Sequence, residues 1–161
     1  MDWHPNKDEA LDYLQKAYDL QTKGKLQEAI ELYRKSIELY PTAEAHTFLG
    51  WTYSFQGRHD EAIAECKRAI EIDPDFGNPY NDIGSYLIEK RQYDAAIPWL
   101  EKAVQAKRYE NYCYPYYNLG RIYEQKGNWL RALEYYQNSL KQNSDYTLAA
   151  RSVSRLKGLL N

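Results

Sequence analysis

The sequence predicts an all-α protein of four helical hairpins followed by one further helix. A small residue recurs along the chain at intervals of 33, 34 and 36 residues. These four small residues are Ala17, Gly50, Gly84 and Gly120. An alanine follows each of them twelve residues later, at Ala29, Ala62, Ala96 and Ala132. The apolar residues around them are spaced three and four apart, which is the period of an amphipathic helix, and a repeat of this length fits two helices and a turn.

The repeat divides the chain into units of roughly 10–42, 43–76, 77–112 and 113–144, with a capping helix over 145–160. Seven residues after each small residue, a turn between two helices is expected. The residues at these turns are Gly24, Gly57, Arg91 and Gly127. Pro41 and Pro74 close the first two units, because proline cannot continue a helix.

The glycines inside the first helices predict a close contact with the second helices. Glycine within a helix costs about 1 kcal/mol relative to alanine, so something must offset that cost at Gly50, Gly84 and Gly120. Close approach of the paired helix offers such an offset. We expect Gly120 to leave room for the helix that bears Ala132, with the rings of Tyr116 and Tyr136 filling the space beside it.

The segment YYNLGRIYEQKGNWLRALEYYQNSL, residues 116–140, resembles a tetratricopeptide repeat, and the resemblance extends over about residues 11–144. It implies an α-solenoid with a right-handed superhelix, in which the first helix of each pair lines a concave groove. The sequence departs from the family pattern at three places. His46 replaces an aromatic ring, Pro98 lies inside a second helix, and the third and fourth units end without proline.

The tyrosine-rich segment Lys107–Tyr117 joins the third and fourth units. It contains two residues more than the other junctions, and Pro115 lies where a new helix can start. We expect Tyr116 to be a core ring and Tyr114 and Tyr117 to face the groove. Two interpretations of the segment remain open here: a purely structural joint, and a joint that also contacts a ligand.

The termini carry predictions of their own. Trp3 is expected to cover the first helix. The C-terminal segment has apolar residues three and four apart, namely Tyr146, Ala149, Val153, Leu156 and Leu160. This stripe fits a helix that caps the last hairpin, and it also fits a coiled-coil seam that would form a homodimer through Tyr146, Val153, Leu156 and Leu160.

Composition argues against several partners. The net charge of −2, with both signs interspersed, gives no basic surface for nucleic acid or for anionic membranes. The N-terminus lacks the basic lead and apolar run of a secretory signal, and no stretch is apolar enough to span a membrane. Two cysteines are too few for a disulfide framework, so we expect reduced thiols and a cytoplasmic location.

The sequence offers no catalytic, metal or cofactor site. His59 falls where the other units have Leu26, Tyr93 and Trp129, so we interpret it as a packing residue. His46 replaces a tyrosine, and Cys66 falls where the other units have tyrosine or leucine, so we interpret both as packing residues too. Cys113 has no neighbouring base, and no glycine-rich phosphate-binding loop occurs. We therefore predict a protein that is not an enzyme.

The resemblance implies which side chains face the groove. Transferred position by position, the candidates are Tyr18, Thr47, Phe48, Trp51, Phe55, Asn81, Asp82, Ser85, Tyr114, Tyr117, Asn118 and Arg121. Trp51 and Phe55 exceed what the hairpin cores need, so they favour recognition, although they can also wedge adjacent repeats together. Asn81, Asp82, Asn118 and Arg121 are suited to hydrogen-bonding an extended peptide.

These residues narrow the expected partner. Family members that grip the acidic C-termini of heat-shock chaperones use a clamp of lysines, arginine and asparagines, whereas this chain has Leu14, Tyr18 and Asp82 at such places and Arg121 as the one groove cation. We expect a protein or peptide ligand that carries an aromatic residue and is neutral or mildly basic. The alternative function is a self-associating scaffold assembled through the terminal faces.

Overall fold

The structure is a computed structural model that describes residues 4–161, so Trp3 lies outside the described residues. The described residues form nine α-helices and no β-strand, which confirms the predicted all-α class. The helices are α1 (Lys7–Thr22), α2 (Leu26–Leu39), α3 (Ala43–Phe55), α4 (His59–Ile72), α5 (Asn78–Glu89), α6 (Tyr93–Gln105), α7 (Cys113–Gln125), α8 (Trp129–Gln142) and α9 (Thr147–Leu160). No helix in this part of the chain is long and apolar enough to cross a membrane.

The helices stack as consecutive hairpins. The pairs α1–α2, α3–α4, α5–α6 and α7–α8 make the most extensive contacts, and each pair packs against the next. The first helices also touch one another along the stack, α1 with α3, α3 with α5 and α5 with α7, whereas the second helices make no comparable contacts with one another. An array whose first helices are closer together curves around them, so the faces of α1, α3, α5 and α7 form the concave side.

The three glycines inside the first helices, Gly50, Gly84 and Gly120, lie where the two helices of a hairpin approach closely. A Cβ atom on Gly120 would lie 2.6 Å from two ring carbons of Tyr136, which is on the helix that bears Ala132. A Cβ on Gly84 would overlap the side chain of Leu100, and one on Gly50 would lie 2.9 Å from the Ala62 carbonyl oxygen. The predicted reason for the small residues is therefore confirmed.

Hydroxyl groups add repeated links within the first and last hairpins. The Ser36 hydroxyl donates to the Ala10 carbonyl oxygen at 2.7 Å, and Ser139 donates to the Cys113 carbonyl oxygen at the same distance. These serines occupy equivalent repeat positions, and both are buried. Each bond satisfies one buried side chain and fixes the start of the first helix against the end of the second.

The prediction that Tyr116 is a core ring was wrong. Tyr116 is only half-buried, and the buried ring of the joint is Tyr109, which packs directly on the Cα atom of Gly77. The reason is that the chain between α6 and α7, residues 106–112, forms a strap, which the two extra residues of the joint lengthen. The strap brings Tyr109, rather than Tyr116, into a buried position against Gly77.

The strap is fastened to the loop that precedes α5. The Arg108 amide donates to the Asp75 carbonyl oxygen at 2.9 Å, and the Gly77 amide donates to the Arg108 carbonyl oxygen at 3.0 Å. The Arg108 guanidinium lies 4.0 Å from the ring centroid of Phe76 and pairs with Asp73 at 2.7 Å. The joint between the third and fourth units therefore packs on the loop between α4 and α5, which connects the second and third units.

The C-terminal helix α9 packs on α8 through the predicted apolar stripe. Leu156 is fully buried and Val153 nearly so, in a cluster with Tyr123, Ala132 and Tyr136 of the last hairpin. These two side chains belong to the core of this chain, so they are not available as a seam for a second copy. Leu160 remains 40% exposed.

Replacing Gly120 with alanine should lower the free energy of unfolding by about 1–3 kcal/mol, because the new methyl group collides with the Tyr136 ring. The matched control is Gly158→Ala, since Gly158 lies in α9 and a methyl group added there would meet nothing within 4 Å. That control should gain up to about 1 kcal/mol from helix propensity. Chemical denaturation of both variants checks the prediction, and equal effects would contradict the close contact.

Arg91→Gly should stabilise the protein by about 1 kcal/mol. Arg91 has a φ angle of 58°, in the left-handed region that disfavours side chains, whereas Gly24, Gly57 and Gly127 occupy the equivalent turns at 73–74°. The removal of backbone strain exceeds the entropy that glycine adds to the unfolded chain. Thermal unfolding should show a higher midpoint for the variant, and a lower midpoint would indicate that the Arg91 side chain has a stabilising role.

Candidate functional site

A cleft of about 520 Å³ opens on the concave side, between the faces of α3, α5 and α7. Ten of the twelve candidate residues line it: Thr47, Phe48, Trp51, Asn81, Asp82, Ser85, Tyr114, Tyr117, Asn118 and Arg121. Tyr18 and Phe55 lie outside this cleft. The first helices hold these side chains because the positions facing the groove are those that do not face the partner helix of the hairpin.

The N-terminal wall of the cleft is aromatic, and its rings divide into two groups. Phe48 is half-buried and packs between Tyr18 and Tyr33, with centroid distances of 5.6 and 6.3 Å, so it wedges the first two hairpins together. Trp51 and Phe55 contact each other at 5.3 Å and remain 39% and 57% exposed. Trp51 presents apolar surface inside the cleft, and Phe55, which contacts Trp51, presents apolar surface to solvent outside it.

The C-terminal wall is a cluster of three tyrosines. The ring centroid of Tyr146 lies 5.4 Å from that of Tyr114 and 5.3 Å from that of Tyr117. The cleft also includes five residues that sequence reasoning did not assign to it: Asn78, Tyr109, Asn111, Tyr146 and Leu148. Each of these residues lies at a junction between units, and this position is the feature of the sequence that could have predicted them. The two-residue insertion and the start of α9 bring the chain back to the groove at Tyr109, Asn111, Tyr146 and Leu148.

Polar side chains on the floor of the cleft form a hydrogen-bonded ladder. The Asn118 amide donates to Asn81 Oδ1 at 3.1 Å, and Arg121 donates to Asn118 Oδ1 at 3.2 Å. Arg121 also pairs with Glu89 at 3.2 Å. The guanidinium of Arg121 is therefore already compensated, and it does not stand ready for an anionic ligand.

The histidines and cysteines occupy packing positions. His46 is buried with its Nδ1 atom 2.6 Å from Glu65 Oε2, and the half-buried ring of His59 stacks on Tyr86. Burial raises the pKa of the Cys66 thiol well above its ordinary value and also raises that of Cys113, which disfavours the reactive thiolate. Within residues 4–161, no three His, Cys, Asp or Glu side chains come close enough to hold a metal ion.

Comparison with known proteins identifies the repeat. Two sequence models of the tetratricopeptide repeat match, one over residues 14–75 and the other over residues 75–142. The chain belongs to the tetratricopeptide repeat family. Members of this family are generally noncatalytic modules for binding proteins or peptides.

Curated relatives cover the chain in different ways. The type IV pilus assembly protein PilF of Pseudomonas aeruginosa is 28% identical over 152 residues, which are 93% of this chain and 60% of PilF. The small glutamine-rich tetratricopeptide repeat-containing protein 2 of Mycosarcoma maydis is 37% identical over 78 residues, which are 48% of this chain and 22% of that protein. The chain thus spans less than two thirds of the length of both relatives.

Solved structures agree with the fold. A structure of Pseudomonas aeruginosa PilF aligns with a TM-score of 0.86 at 28% identity, over 93% of this chain and 68% of that chain. A crystal structure of MamA aligns with a TM-score of 0.73 at 28% identity, over 89% of this chain and 85% of that chain. The α-solenoid is therefore shared with tetratricopeptide repeat proteins along nearly the whole chain.

Within this tetratricopeptide groove, Asp82 is an unusual carboxylate. It is half-buried on the concave face of α5, and burial raises its pKa to about 7, against the lowering effect of a hydrogen bond from Asn81. No Lys, Arg or His of the described chain forms an ion pair with it. A carboxylate desolvated without a counterion costs free energy when it ionises.

Asp82→Asn should stabilise the protein, and the gain should grow with pH. Between about pH 4 and pH 7, native Asp82 keeps a proton that the unfolded chain has released, so the free energy of unfolding of the wild type falls as pH rises through this window. The difference between variant and wild type should increase by up to about 4 kcal/mol from pH 4 to pH 8. Urea unfolding at a series of pH values checks this.

Asp60→Asn provides the matched control for that series. Asp60 is exposed, and its hydrogen bond to Lys90 lowers its pKa. The paired carboxylate contributes stability only when ionised, so the Asp60 variant should be slightly destabilised above about pH 4, opposite in sign to Asp82→Asn. A pH-independent effect of Asp82→Asn would show that its carboxylate is well solvated.

Proposed function

We propose that this chain is a noncatalytic adaptor that binds a peptide segment or helix in its concave groove. The observation that carries the proposal is the exposed pair of Trp51, which lines the cleft, and Phe55, which contacts Trp51. Exposed aromatic rings in a concave surface are typical of the anchoring residues of protein interfaces. The cleft beside them supplies amide and hydroxyl groups that can hydrogen-bond a peptide backbone.

The charges of the groove favour a neutral or mildly basic ligand with an aromatic side chain. Arg121 is neutralised by Glu89, and Asp82 adds a carboxylate without a counterion. A peptide that ends in several carboxylates would therefore meet more repulsion than attraction. An aromatic ligand residue would instead find the Trp51 and Phe55 rings, where stacking contributes beyond the buried area.

The relatives support a role in assembly rather than in catalysis. PilF, which aligns with most of this chain, is a type IV pilus assembly protein by name. An adaptor that holds one component through a short segment fits this description. We carry over only this general role, because the chain spans 60% of that relative.

The test is selection of random short peptides displayed on phage, followed by fluorescence anisotropy of the enriched peptides. Enriched sequences should contain an aromatic residue, and the Trp51→Ala, Phe55→Ala double variant should bind them at least about tenfold more weakly while its helical circular dichroism is unchanged. The matched control is Trp129→Ala, because Trp129 is 45% exposed but lies outside the cleft.

Two results would overturn the proposal. The first is no enrichment over uncoated beads. The second is equal binding by the wild type and the double variant, which would remove the aromatic pair from the binding surface. Weaker binding by Trp129→Ala would place the ligand outside the cleft.

A further inference from the structure

A smaller recess of about 350 Å³ adjoins the cleft on the side toward α4. Four of its residues, Trp51, Asn81, Asp82 and Ser85, also line the main cleft, so a ligand in the cleft passes the mouth of the recess. The remaining lining residues are Ser54, His59, Tyr86 and Glu89. They come from α3, from the start of α4 and from α5.

Two buried polar atoms of the recess lack hydrogen-bond partners within residues 4–161. They are the Tyr86 hydroxyl and the His59 Nδ1 atom. Tyr86 is only 6% exposed, and Ser54, whose hydroxyl lies close enough to lower the pKa of Tyr86, donates its proton to the Trp51 carbonyl oxygen at 2.7 Å. Buried polar groups are normally satisfied, so an unsatisfied pair in one recess indicates a group that arrives from outside.

The charged residues of the recess indicate the chemistry of the group that would complete it. Its two carboxylates are Asp82 and Glu89, and no lysine or arginine lines it. Glu89 already pairs with Arg121, whereas Asp82 has no counterion in the described chain. When Asp82 is ionised, the recess therefore carries one uncompensated negative charge. The carboxylate and hydroxyl oxygens that line it can accept hydrogen bonds from a cation.

We propose that this recess binds the cationic side chain of a lysine or arginine carried by the ligand of the groove. Asp82 supplies the counter-charge, the Tyr86 hydroxyl accepts a hydrogen bond, and the Trp51 ring offers its face to the cation. This inference rests on the proposed function and adds to it a basic residue placed beside the aromatic anchor. A metal ion is a poor alternative, because no three ligating side chains meet in the described chain.

The inference implies weaker binding at acidic pH. Protonation of Asp82, whose pKa burial raises to about 7, removes the counter-charge. The other titratable or charged groups around Asp82 are Cys66 and His59 from α4, Tyr86 and Glu89 from α5, Tyr109 from the strap and Arg121 from α7.

The experiment titrates the isotopically labelled chain with blocked single amino acids and records amide and indole N–H shifts by NMR at about pH 8. The probes are N-acetyl-lysine methylamide and N-acetyl-arginine methylamide, with the norleucine analogue as an uncharged control of similar length. A cationic probe should shift the Trp51 indole and the amides of Ser54 and Ser85, with a dissociation constant on the order of millimolar.

Protein variants then assign the effect to the recess. Asp82→Asn should raise the dissociation constant of the cationic probe at least about tenfold, and Tyr86→Phe should raise it by a smaller factor. Asp60→Asn, an exposed carboxylate outside the recess, should leave binding unchanged. The proposal is overturned if lysine and arginine probes shift these signals no more than norleucine does, or if Asp82→Asn binds them as well as the wild type.

The outcomes also separate this inference from the proposed function. The blocked amino acids test the recess without requiring a groove peptide. If peptides depend on Trp51 but ignore Asp82, and the cationic probes fail, the adaptor function stands and the basic specificity is wrong. If cationic probes bind in the recess while no peptide is enriched, the recess stands and the groove-binding function is wrong.

Discussion

The close approach of the two helices in each hairpin is the constraint on which the rest of the structure depends. At Gly84 and Gly120 there is no room for a single methyl group, because Leu100 and Tyr136 of the partner helix fill that volume. Such contacts press the second helix against one side of the first. The opposite side of each first helix then turns toward the neighbouring first helix, and together these sides form the concave groove.

The polar groups of the groove fall into two sets, one whose hydrogen bonds are satisfied within the chain and one whose hydrogen bonds or charges are not. Asn81, Asn118, Arg121 and Glu89 satisfy one another in a ladder that holds α5 and α7 in register. Asp82, one residue from Asn81, accepts a hydrogen bond from Asn81 but has no counterion in the described chain, and the Tyr86 hydroxyl has no hydrogen-bond partner within residues 4–161. Unsatisfied groups lower stability, so their presence in a native structure requires an explanation, and completion by a ligand is the one that we propose.

The aromatic residues of the groove also fall into two sets, rings that pack against other rings of the chain and rings that remain exposed. Phe48 and Tyr33 are packed into the hairpin cores, and the rings of Tyr114, Tyr117 and Tyr146 support one another at the C-terminal wall. Trp51 and Phe55 contact each other and remain 39% and 57% exposed. This exposed pair lies beside the recess that contains Asp82.

The sequence predicted the fold through the repeat period, and it predicted most of the cleft through the resemblance to the tetratricopeptide repeat. Once the small residue of each unit is aligned, the family pattern implies which neighbours face the groove, and Asn81, Asp82 and Asn118 follow from it. Periodicity failed at the Lys107–Tyr117 joint, where two extra residues form a strap and Tyr109 rather than Tyr116 enters the core. It also could not reveal that Asp82 lacks a counterion, since an ion pair depends on side chains from distant units.

A double-mutant cycle between Gly84 and Leu100 tests the central constraint most directly. In the wild-type background, Gly84→Ala should be destabilising, because the methyl group meets the Leu100 side chain. In a Leu100→Ala background that side chain is gone, and the same substitution should become neutral or stabilising through helix propensity, with a coupling of about 2 kcal/mol between the two sites. An equal effect of Gly84→Ala in both backgrounds would contradict the account.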